Sequence, residues 1–111
     1  MAALTPGTAH SLADLAPLAE GAVVSRVLLK QKSGSVTLFA FDAGEGLSEH
    51  TAPFDALVLI TSGSANVRIA DVEHQLETGE TIVLPANIPH ALHAEEAFQM
   101  LLVMLRAPKE D

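Results

Sequence analysis

Residues 78–94 read TGETIVLPANIPHALHA, a glycine, a short apolar run, a loop bracketed by two prolines, and then His90 and His93. Thr81, Ile82 and Val83 are β-branched and the run is too short for a helix, so it reads as a strand. Pro85 and Pro89 cannot donate to a ladder and mark the PANIP loop. HALHA then opens a second strand, whose period of two puts His90, Leu92 and Ala94 on one face and His93 on the other.

The same habit extends outward in both directions. AVVSRVLLK (22–30), SVTLFAFD (35–42), DALVLITS (55–62), SANVRIA (64–70), HQLE (74–77) and FQMLLVMLR (98–106) are short, β-branched or alternating. Gly, Asp, Asn or Pro separates them. KSGS and TSGSA place Gly where a tight hairpin needs a positive φ. The expectation is an all-β fold built from hairpins in series, a barrel or sandwich. One helix is expected, in SLADLAPLAE (11–20). There Ser11 and Asp14 form a weak capping box ahead of Leu12, Leu15 and Leu18, Pro17 limits the length and Gly21 ends it. The organisation expected is an N-terminal segment over 1–21 and a barrel over 22–111.

At 111 residues and 49% hydrophobic content the chain has material for one core. Its 14 acidic and 6 basic residues give a net charge of -8, a field that repels phosphate backbones and anionic lipid. Neither nucleic acid nor a membrane is expected as a partner. With no cysteine, disulfides, thiolate metal sites and Cys nucleophiles are excluded, and a reducing, cytoplasmic setting is expected. No apolar run approaches the ~20 residues that span a bilayer.

A second block, GEGLSEHTAPFDALVLITSG (44–63), has the same grammar as the first: Gly44 leads to His50, and the segment closes on Gly63. The two blocks together resemble the two motifs of the cupin family, G-x5-H-x-H-x3-E-x6-G and G-x5-P-x-G-x2-H-x3-N. Gly44, His50, Gly63, Gly79, Pro85 and His90 all stand at the family's spacing, and the resemblance covers about Val23 to Arg106. It implies a double-stranded β-helix, the cupin or jelly-roll barrel, behind the short N-terminal helix. The departures are as informative. Ala52 and Ala56 stand where the family has a second His and a Glu, which removes two of four metal ligands. Asn87 replaces a Gly, a mild change because Asn also adopts the left-handed region, and Ala94 replaces an Asn.

By strand parity Ser48, His50 and Ala52 share one face, so both matched histidines are expected to point into the barrel. His93 joins His50 and His90 as a metal ligand only if a β-bulge between His90 and His93 changes the phase. Asp55 is a further candidate donor, although a regular strand turns it away. The expected cavity is lined by Ser48, Ala52 and Ala56, and by Met100 and Met104 on the face that Phe98 and Leu102 share. Methionine thioethers are soft ligands in principle, but core filling is the expected role here. Two imidazoles hold a divalent ion such as Zn, Ni, Fe or Mn only weakly. If they stand in a dry, metal-free cavity, both pKa values should be depressed.

Three functions stay open. The first is a barrel binding a small molecule beside a degenerate metal site. The second is a metal-dependent enzyme of the cupin dioxygenase, isomerase or decarboxylase type that uses His50 and His90 as ligands or as an acid/base pair. The third is a barrel whose role is assembly. No catalytic residue is assigned. Val23, Val27 and Leu29 on one face of the first strand and Val24 and Leu28 on the other call for a cover on both sides, and a homodimer is expected to supply it.

Overall fold

The computed structural model describes residues 3–106. After the one-turn helix α1 (Leu12–Leu15) come β1 (Val23–Gln31), β2 (Gly34–Phe41), β3 (Gly46–His50), β4 (Asp55–Ser62), β5 (Ser64–Ile69), β6 (Val72–Glu77), β7 (Thr81–Leu84), β8 (His90–His93) and β9 (Phe98–Leu105). Two antiparallel sheets, ordered β1-β2-β9-β4-β7 and β3-β8-β5-β6, pack face to face. The all-β, jelly-roll expectation holds. The element absent from the sequence reading's apolar runs is β3, whose GLSEH carries no β-branched or aromatic residue and becomes a strand by pairing with β8.

Alternation assigns the side chains. Phe39 and Phe41 of β2, Ala56, Val58 and Ile60 of β4, and Phe98, Met100, Leu102 and Met104 of β9 face the interior, where they meet Leu47, Ala65, Val67, Leu76 and Leu92 of the other sheet. Phe41 and Phe98 stack at 4.4 Å between centroids and anchor this core. Met100 is 1% exposed, so it fills the core rather than lining an open cavity.

The five-stranded sheet is apolar on its other face too. There Leu28, Leu38 and Ala40 pack against Leu15 and Ala16, with Leu4, Leu12, Val24, Val36 and Leu101 around them. The N-terminal segment is therefore the cover for Val24 and Leu28. It is tied down by the Gln99 amide donating to the Leu12 carbonyl at 2.8 Å and by Leu4 N–H donating to Leu28 O at 3.1 Å. The helix is shorter than expected. Ala16 precedes Pro17 and takes φ -141°, outside the helical region, and the Ser11 side chain caps nothing. Leu18, expected on the helix's apolar stripe, is consequently exposed.

Two turns carry the geometry the motifs demanded. Asn87 sits at φ 63°, the left-handed conformation its Gly-like position requires. Gly63 sits at φ +76° in the β4–β5 hairpin, and a Cβ there would run into the Ala97 carbonyl and the Phe98 side chain. Gly63→Ala is expected to lower stability by about 2–4 kcal/mol, combining left-handed strain with overpacking against backbone. Urea unfolding followed by far-UV circular dichroism checks this; a midpoint within error of wild type would refute the close approach.

Candidate functional site

β3 and β8 are neighbours in the four-stranded sheet, with Gly46 opposite His93, Leu47 opposite Leu92, and His50 opposite His90. From Leu47 to His50 is three steps on β3, whereas Leu92 to His90 is two on β8. Ser48 and Glu49 therefore oppose Ala91 alone, a β-bulge. The extra residue reverses the phase of β3. Leu47 packs into the core, and His50, which a regular strand would turn the other way, returns to the face that carries Leu47. β8 runs regularly from His90 to His93, so the bulge that would have turned His93 inward is absent there, and the bulge present is in β3.

The consequence is a paired imidazole site. Nε2 of His50 and Nε2 of His90 lie 3.1 Å apart, with the rings edge to face at 71° and 4.4 Å between centroids. Each ring is tethered at Nδ1 to the carbonyl two residues back in its own strand, His50 to Ser48 O at 2.8 Å and His90 to Ile88 O at 3.2 Å. A carbonyl only accepts, so both Nδ1 atoms carry the hydrogen and both Nε2 atoms present lone pairs. Three polar contacts need three ring hydrogens, and two neutral imidazoles supply two. The pair is completed by a third proton or by a metal ion. His50 is exposed and His90 is 5% exposed, so the site opens at the surface and closes on the barrel.

Burial moves the His90 imidazole below its ordinary value of 6.5. The hydrogen bond to Ile88 opposes that shift, and the charge of His50 adds to it. His90 is thus held unprotonated near neutral pH, with its Nε2 lone pair available to another cation.

The remaining candidates are dispersed. Ser48 is exposed on β3, its carbonyl rather than its hydroxyl contributing to the site. Ala52 is half-buried, and its carbonyl accepts Asn87 N–H at 2.7 Å. Asp55 Oδ1 accepts Ala86 N–H at 2.8 Å, so this carboxylate holds the PANIP loop. Ala56 is buried beside Met104 and Leu84 on the strands either side of it. His93 is exposed, opposite Asn66 in an unbroken ladder with β5, on the face of β8 away from His90. Among the described residues no group of three or more His, Asp or Glu is placed to hold a metal. Two imidazole nitrogens on one zinc stand roughly 3.3 Å apart for bonds of about 2.0–2.1 Å, so 3.1 Å fits a shared ion, with the other coordination positions left to water or ligand. A groove of about 590 Å³ opens elsewhere, between Leu12, Pro17 and Leu18 and the Thr61–Ser62 and Ala97–Gln99 segments, and none of the histidines lines it.

The sequence reading missed the two carbonyl tethers. Their only trace in the sequence is the common i−2 spacing, which becomes visible once Ser48 is known to be bulged.

A family model described as "Cupin domain" matches residues 37–105. SchB of Streptomyces halstedii is 34% identical over 59 residues, 52% of this chain but only 43% of SchB. A conserved SPY1581 protein of unknown function from Streptococcus pyogenes superimposes with a TM-score of 0.90 at 35% identity, covering 98% of both chains. A cupin 2 conserved barrel domain protein from Leptotrichia buccalis gives 0.82 at 39% identity over 85% of this chain and 46% of that one.

The depressed His90 value has a stability consequence in metal-free protein. Between the unfolded value near 6.5 and the lower folded one, the unfolded chain binds more protons than the native chain. Stability contributed by His90 is complete above about pH 6.5 and falls as pH drops toward the folded value. Urea midpoints in chelator between pH 8 and 5 should show a decline that His90→Asn reduces; identical slopes for the two proteins would remove His90 as its source.

Proposed function

The chain belongs to the cupin family, and on that premise we propose that it binds a small molecule at the His50–His90 end of its barrel, beside a metal site reduced to two ligands. The observation that carries this reading is the convergence of two tethered Nε2 lone pairs with alanine at both other ligand positions of the family's motif. His50 and His90 would hold a divalent ion such as Zn, Ni, Fe or Mn weakly and reversibly. When bound, such an ion polarises an oxygen of its partner molecule as a Lewis acid. The residues themselves orient the two lone pairs through the Ser48 and Ile88 carbonyls, keep His90 unprotonated by burial, and hold the PANIP loop in place through Asp55. The ligand this arrangement suits is a small molecule with an oxygen donor for the open side of the pair.

A second reading, a metal-dependent enzyme of the dioxygenase, isomerase or decarboxylase type, is favoured by the same open coordination positions; metal-free, the two imidazoles would serve it as an acid/base pair. Activity abolished by chelation and rescued by one metal would move this reading ahead. We further propose a barrel spanning 22–111 with the 1–21 segment as its cover, a homodimer in solution, and a cytoplasmic location. The absence of cysteine supports that location, and among the described residues no helix is long and apolar enough to cross a membrane.

Native mass spectrometry of untagged protein reports retained ligand, metal and subunit number together. For the metal, titration against a competing chelator should show weak binding that His50→Ala or His90→Ala abolishes and His93→Ala leaves unchanged. Restoring His at Ala52 and Glu at Ala56 should tighten it by several orders of magnitude. A wild-type affinity already equal to that of the restored double variant, or one lost with His93→Ala, would overturn the two-ligand site.

A further inference from the structure

The groove beneath the N-terminal segment lies outside the barrel, away from the His50–His90 pair. Leu12, Pro17 and Leu18 form one wall, and Thr61, Phe98 and Gln99 the other. Its volume of about 590 Å³ is within the roughly 300–1,000 Å³ of small-molecule sites. The polar groups between the walls are used on one another. Thr61 Oγ1 donates to Gln99 Oε1 at 2.7 Å, and the Gln99 amide donates to Leu12 O at 2.8 Å, so the interior is satisfied without a polar occupant. Leu18, 56% exposed, is an apolar side chain on the open side of the wall.

Charge enters where the walls end. Asp14 follows Ala13 of the lining, and Glu95 and Glu96 lead into Ala97. Glu20 adjoins Gly21, whose N–H donates to Asp42 Oδ2 at 2.7 Å. Glu80 stands on the turn beside Thr61, its carbonyl accepting Ile60 N–H at 3.0 Å. The ion pair formed among the described residues is Arg68 with Glu49, so none of these rim carboxylates is neutralised by a cation. No lysine or arginine lines the groove, and Arg26, which donates to the Leu15 carbonyl at 3.4 Å, is not among its lining. We propose that this groove binds a small amphiphilic cation, an apolar body that lies between the walls and carries a protonated amine among the rim carboxylates.

Charge selects this occupant over others that are equally apolar. An amphiphilic anion meets like charge at every side of the rim, and a second copy of the chain brings a net charge of -8 with it. A neutral amphiphile gains the wall contacts alone. The field also has a direction. Lys30 and Lys32 are on the β1–β2 hairpin, and Arg106, at the close of β9, donates its N–H to Ser33 O at 2.8 Å. That is the opposite end of β2 and β9 from Ala40 and Phe98 of the groove, so a diffusing cation is drawn to the groove end and repelled from the other.

Calorimetric titration with decylammonium, decanol and decanoate, each below its aggregation concentration, separates the contributions of charge and apolar contact. Decylammonium should bind, decanol at least about tenfold more weakly, and decanoate more weakly still; raising salt to about 0.5 M should bring decylammonium toward decanol. Amide shifts in nitrogen–proton correlation spectra should fall on Leu18, Ser62 and Ala97. The double variant Glu20→Lys with Glu95→Lys should keep its far-UV circular dichroism, weaken decylammonium about tenfold and leave decanol unchanged. Leu18→Ser should weaken both by about fivefold. Glu73→Lys, on β6 near Arg68 and away from the groove, should change neither. Failure of decylammonium to bind at millimolar concentration, decanol or decanoate binding as tightly, or Glu73→Lys weakening it as much as the rim variant would overturn the proposal. Shifts at His50 and His90 in place of the groove would overturn it too, and would move the ligand to the barrel.

Discussion

The up-and-down alternation of the β-strand governs this molecule, because its larger sheet is apolar on both faces. A strand such as GSVTLFAF cannot hide Phe39 and Phe41 without turning Val36, Leu38 and Ala40 the other way. The inner set closes on the second sheet and makes the main core. The outer set needs its own cover, and a segment with a single turn of helix supplies part of it. That segment is held by apolar contact and a few backbone hydrogen bonds, which explains why it needs neither a long helix nor a working cap.

The site follows from a local violation of the same rule. In a regular β3, Leu47 and His50 would face opposite ways; one extra residue puts both on the same face and frees the Ser48 carbonyl to take the His50 Nδ1 hydrogen. Orientation of the second imidazole comes from the loop. Asn87 in the left-handed conformation, Asp55 on the Ala86 amide and Ala52 on the Asn87 amide fix the backbone from which Ile88 accepts His90 Nδ1–H. What remains is two lone pairs brought within hydrogen-bonding distance and short of one cation. Two alanines, Ala52 and Ala56, stand at the other two motif positions, so the two imidazoles are the polar groups left at this end.

Much of this was legible in the residues. DALVLITS matches β4 end to end, and the interior face of β9 follows from its alternation. The pairing of His50 with His90 was expected, but the parity behind it was not the parity observed: Ser48 was assigned to the histidine face and is exposed. A bulge depends on how two strands are paired, and nothing within GLSEH announces it. The helix is shorter than SLADLAPLAE suggests because the limit set by Pro17 falls on Ala16 before it, which leaves one turn, Leu12–Leu15. The expected drying of both imidazoles holds for His90 alone, since β3 is an edge strand and leaves His50 at the surface.

That edge position gives the bulge a second consequence, one that concerns survival of the protein in a crowded solution. A straight, unpaired strand is a template on which another chain can build a ladder, and repeated addition makes fibres. Ser48 and Glu49, displaced from the ladder, kink β3, and the Glu49 carboxylate reaches across β8 to Arg68 of β5 at 3.5 Å. The insertion that aims His50 also spoils β3 as a growth front. Deleting it to straighten the strand would turn the imidazole away and leave a more regular edge, so the aim of His50 and the shape of this edge are set by the same inserted residue.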